Sequence, residues 1–87
     1  MDEILMGKIK QKIHETISNK EEIQQLIQLF SNIDDSKSFA LGIVVGRLYN
    51  AFHYQTKRIL NREPSQLEFT EFLEFVKSKK SYLEDLW

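Results

Sequence analysis

The chain has 87 residues, 12 Lys and Arg against 13 Asp and Glu, a net charge of −1 and no cysteine. That length suits one domain, and so short a domain buries about 60–65% of its unfolded surface, which leaves stability modest unless something is added. Without cysteine there is neither a disulfide nor a thiolate metal site, and two histidines far apart in sequence argue against zinc.

The opening residues, Met1 to Gln11, are charged and contain no apolar core segment, so no signal peptide is expected and the expected setting is the cytoplasm. A first helix is expected over residues 2–18, where Leu5, Met6, Ile9, Ile13 and Ile17 form a narrow stripe. A narrow stripe marks a peripheral helix that touches the core along one line. His14 lies off its centre and reads as a surface histidine. A second helix is expected over 20–32, opened by Asn19 with Glu22 in the spacing of a capping box. Ile23, Leu26, Ile27 and Phe30 face inward in that reading, and three glutamines face out. Asp34, Asp35 and Ser36 then end this helix and cap the next.

A long central helix is expected over 36–62, its body being the proline-free stretch 38–62, roughly 37 Å long. Leu41, Val45, Leu48, Phe52 and Ile59 fall within about 60° of one another and form the expected packing seam. Phe39, Ala40, Ile43 and Val44 extend apolar character round the first half, which predicts that the helix is enclosed at its start and half exposed at its end. Gly42 and Gly46 share a side that Tyr49 and His53 continue. Each glycine inside a helix costs roughly 1 kcal/mol against alanine, so two on one side predict a close approach. Packing against another helix of the same chain, near Phe30 or Phe72, is the simpler expectation, and contact between two copies is the sharper one.

Glu63 and Pro64 stop the central helix. Ser65 with Glu68 makes a second capping box for a last helix over 65–86. Phe69, Phe72, Leu73, Val76, Leu83 and Trp87 share one face of it, with Phe75, Tyr82 and Leu86 as an apolar edge alongside. Apolar residues recur at three and four throughout and no hairpin turn is present, so the expected fold is all-α. It is a compact bundle of about four helices forming a single helical domain, 1–87, with antiparallel up-down order favoured by the short loops.

Three constellations bear on function. Residues 39–63 are the net basic segment, with four bases and one acid, and Arg47, Tyr54, Lys57, Arg58 and Arg62 share their polar side. Such a face suits a phosphate backbone, with Tyr54 stacking on a base, although the overall acidity argues against nucleic acid. Tyr49 and His53 are one turn apart and read as a hydrogen-bonded pair lacking a nucleophile, metal or cleft. Glu68, Glu71 and Glu74 drift round their helix with no Glu-x-x-His motif, so no carboxylate metal centre is expected. Catalytic residues, a metal and a cofactor are therefore not expected, and neither is a membrane span, because Arg47 interrupts the apolar run too early. The surplus of apolar side chains predicts instead a protein-interaction or oligomerisation module, binding itself as a homodimer or binding another protein. Its expected interface is Gly42, Gly46, Tyr49 and His53 with Phe75, Tyr82, Leu86 and Trp87. Nucleic-acid binding through the basic face is the alternative.

Overall fold

Side-chain caps open three of the helices among the described residues. A computed structural model of the chain describes residues 1–30 and 34–86. Helix α1 spans Glu3–Ser18, opened by the Asp2 carboxylate, which accepts from the Leu5 amide at 2.9 Å. Helix α2 spans Lys20–Gln28 and is shorter than the expected 20–32; of that range, 31–32 lie outside the described residues. The expected capping box at its start does not form, because Asn19 makes no side-chain cap bond. Its own amide is already committed to the end of α1, donating to the carbonyls of Glu15 and Thr16, and its backbone stays close to helical rather than extended.

Helix α3 spans Ser36–Leu60. Asp35 caps it as expected, accepting from the Ser38 amide at 3.0 Å and the Ser38 hydroxyl at 2.7 Å. It closes at Asn61, which takes the left-handed conformation at φ 58° that asparagine tolerates at a helix end. Helix α4 spans Gln66–Ser78 behind the complete Ser65–Glu68 capping box. The last helix is not continuous to residue 86. It breaks at Lys79, and a short α5 follows over Lys80–Glu84. At the break the Ser78 hydroxyl donates to the Phe75 carbonyl, and the Lys79 amide bonds the Val76 carbonyl, a residue early.

The fold is thus all-α, with no strand among the described residues. Thr16 of α1 meets Arg47 of α3, while Lys12 shares a cleft with Tyr54, so α1 and α3 are antiparallel. Tyr49 touches Phe69, and Leu41 lies beside Leu83, so α3 and the α4–α5 segment are antiparallel too. The amino terminus forms an ion pair with Glu71. The three long helices therefore run up, down and up, with the nine residues of α2 as a connector. The extents are 41 × 20 × 18 Å.

The core gathers Leu5, Ile9 and Ile13 of α1, Ile23 of α2, Val44, Leu48 and Phe52 of α3, and Phe72 and Leu83. The Phe52 and Phe72 rings stack at 4.5 Å with 14° between planes. The buried line of α3 differs from the expected seam: it follows Ala40, Val44, Leu48, Ala51, Phe52 and Thr56, while Leu41 and Ile59 are half-buried and Val45 is exposed. The small side chains of Ala40 and Ala51 let α1 and α2 come close on that side, which turns the helix towards them. Consequently the first half of α3 is not enclosed as expected: Gly42, Val45 and Gly46 face outward.

Candidate interaction surface

Turning α3 towards α1 opens its other side. Leu41 and Val45 of α3 face Leu73, Val76 and Leu83 across a groove of about 360 Å³ floored by Phe72. Its lining is almost wholly apolar. Lys77, Lys80 and Glu84 stand along the rim, with Lys80 and Glu84 3.9 Å apart. Leu73 projects into this groove and is 50% exposed, and Val45 is 37% exposed. Half-exposed aliphatic side chains around a concave floor are an unfilled packing site. Periodicity alone puts Leu41, Val45, Leu73, Val76 and Leu83 on core stripes. Helical spacing shows that they share a face but not whether a neighbouring helix covers it.

Gly42 and Gly46 lie beside this groove. The expectation that they pack against a helix of the same chain is wrong: a Cβ at either would meet nothing within 4 Å. Tyr49 continues the strip, its ring edge-on to His53 at 4.7 Å and to Phe69 at 6.3 Å. The Tyr49–His53 pair is a ring contact at the surface, and the His53 Nδ1 lies 3.7 Å from a Glu63 carboxylate. Among the described residues of α3, Leu41, Gly42, Val45, Gly46 and Tyr49 make an uncharged face a little over two turns long. The charges of the helix, Lys37, Arg47, Lys57 and Arg58, lie off it.

The other half of the expected interface lies elsewhere. Phe75 is half-buried and carries the Lys79 ammonium 5.9 Å above its ring. Tyr82 lines a cleft with Lys10, Ile13 and His14 of α1, and Leu86 packs against the core. Trp87 lies outside the described residues. So the aromatic edge of the last helix turns towards α1, on the opposite side of α4 from Leu73.

Two residues of the expected basic face, Arg47 and Arg62, are engaged within the chain. The Arg47 Nε donates to the buried Thr16 hydroxyl at 3.1 Å. Arg62 is ion-paired to Glu68 at 2.7 Å, and Lys57 lies 3.8 Å from Glu63. Arg58 contacts Gln55 at 3.4 Å, while Tyr54 is exposed. The Arg62 guanidinium, with the Ser65 amide second, holds the Glu68 carboxyl down at about 2. The Arg62–Glu68 pair holds the start of α4 and Arg47 is turned towards α1, while Tyr54, Lys57 and Arg58 stay exposed.

Among the described residues no group of three or more His, Asp or Glu is arranged to hold a metal, and no helix is long and apolar enough to cross a membrane. Comparison with family models, with curated proteins and with solved structures finds no match to this chain.

Proposed function

We propose that the chain is a helical protein-interaction module, working in the cytoplasm without catalysis of its own, and that it docks protein on the α3–α4 face. The groove between Leu41, Val45, Leu73 and Val76 carries this reading, because it is an apolar, concave site left open by a small bundle. Interface centres are depleted in charge and ringed by polar groups, and the uncharged face of α3 with Lys77 and Lys80 on the rim has that anatomy. Nucleic acid is the weaker reading, since Arg47 and Arg62 are occupied by Thr16 and Glu68.

Site-specific photo-cross-linking tests the proposal. A photoreactive phenylalanine analogue replaces Val45, Leu73 or, as a control on the far side of α4, Leu67, in cells that express the chain. Protein adducts of any mass from positions 45 and 73 but not 67 are expected. Adducts from none of the three, or equally from all three, would overturn it.

A further inference from the structure

On the flank of α3 that faces α1, a polar cleft of about 260 Å³ is lined by Lys12, Arg47, Asn50, Ala51, Tyr54 and Gln55. We infer that it binds one small phosphomonoester, with the phosphate between Lys12 and Arg47 and a planar ring laid on Tyr54, as a mononucleotide would lie. The cleft shares no lining residue with the α3–α4 groove, so this is a second binding function beside protein docking.

The helical repeat builds one wall. Arg47, Asn50, Ala51, Tyr54 and Gln55 follow at steps of three, one, three and one, which puts all five on one face of α3. Ala51 is buried and short, so it makes a low floor between longer polar side chains. Lys12 of α1 stands opposite.

Arg47 is held in place from beneath. Its Nε donates to the Thr16 hydroxyl at 3.1 Å, and that hydroxyl, buried between the helices, donates in turn to the Lys12 carbonyl at 2.8 Å. A bond at Nε leaves the two terminal nitrogens of the guanidinium, which have no hydrogen-bond acceptor among the described residues. A planar fork fixed at one nitrogen and open at the others suits two oxygens of a phosphate. Much of the cost of ordering so long a side chain is met before the ligand arrives.

Charge favours the same ligand. No carboxylate lines the cleft. The acid nearest Lys12 is the exposed Glu15, 2.7 Å from its ammonium. Lys12 chiefly, with smaller effects from Arg47 and Lys8, holds the Glu15 carboxyl below its ordinary value, so an anion beside Lys12 is favoured. A phosphomonoester carries between one and two negative charges near neutral pH and competes for Lys12 with more charge than one carboxylate. At the other end Tyr54 is 63% exposed, two turns from Arg47 or about 10 Å along the axis. An exposed phenol ring is a stacking platform for a planar ring, and the Asn50 and Gln55 amides between the two ends can bond its polar edge. Two cations at one spot, rather than a row of them, suit a single phosphate and not a nucleic-acid backbone.

The test is a titration of the isotope-labelled full chain, followed by amide NMR at low salt, with adenosine monophosphate, adenosine and inorganic phosphate as separate probes. Adenosine monophosphate is expected to shift the amides of Lys12 and of 47–55, with a Kd of roughly 0.1–1 mM. Phosphate alone and adenosine alone are expected to bind about tenfold more weakly or worse. Lys12→Gln and Arg47→Gln should each weaken adenosine monophosphate by about tenfold or more. Arg47→Gln also removes a bond to buried Thr16, so Asn50→Asp is the decisive variant: position 50 is exposed, and a carboxylate there should reduce binding as much without disturbing the fold. Tyr54→Ala should weaken adenosine monophosphate by about fivefold or more and leave phosphate binding unchanged. No shift up to about 10 mM nucleotide, shifts centred outside the cleft, or an affinity that Asn50→Asp leaves unaltered would overturn the inference. Phosphate bound as tightly as the nucleotide would overturn the placing of the ring on Tyr54.

Discussion

Single residues carry two features that the fold itself does not require. Gly42 and Gly46 lower the helical stability of α3 and leave open space where a side chain would stand. Gly42→Ala and Gly46→Ala should therefore each stabilise the monomer by about 0.5–1 kcal/mol. Thermal unfolding at low protein concentration should show a rise of several degrees for each; a fall would mean the space is not open. Glu68 has the opposite character. Its folded value of about 2 lies below the ordinary 4.5, so its stabilisation is present above pH 4.5 and is lost as pH falls towards 2. Glu68→Gln should flatten that part of the stability curve and cost roughly 1 kcal/mol at neutral pH, the range of a lost helix cap. Urea titrations of both proteins from pH 7 to about 2 decide it; parallel curves would refute the assignment. Ser65 and Glu68 announce their capping box through spacing alone, because that bond is local. The same spacing at Asn19 and Glu22 misled, because the end of α1 claims the Asn19 backbone.

Among the elements, α5 is the one held by least. It is five residues long, has no side-chain cap and anchors through Leu83, which is 2% exposed. A helix this short has little stability of its own and depends on its packing. Leu83→Ala should remove that anchor, at roughly 2–5 kcal/mol of local stability. Amide hydrogen exchange should then accelerate across Lys80–Glu84 while the amides of α1 and α3 stay protected. Uniform acceleration would instead mean that α5 unfolds only with the whole molecule. The existence of the helices was legible because apolar spacing of three and four survives over many turns. Their breaks at Gln28 and Lys79 were less so. Periodicity runs straight through residues 66–86, whereas the break rests on the Ser78 hydroxyl bond and one tightened backbone bond.

For the whole molecule, the chain carries a net −1, Arg62 just beyond α3 is paired with Glu68, and the exposed Lys57 lies 3.8 Å from Glu63. The full chain should accordingly be retained by neither DNA nor RNA at about 50 mM salt, where phosphate contacts are strongest. Retention that falls steeply by about 200 mM would restore the nucleic-acid alternative. Composition and periodicity determined by themselves that the chain is helical, roughly where its three long helices lie, and that it carries more apolar surface than short helices readily cover. These properties are local or additive along the chain. Only the tertiary structure decided which flank of α3 is buried. Ala40 and Ala51 admit α1 and α2 on one flank, and Leu41, Val45 and the two glycines are left open on the other. Both flanks satisfy the same helical repeat, and the choice between them depends on how closely neighbouring helices can approach.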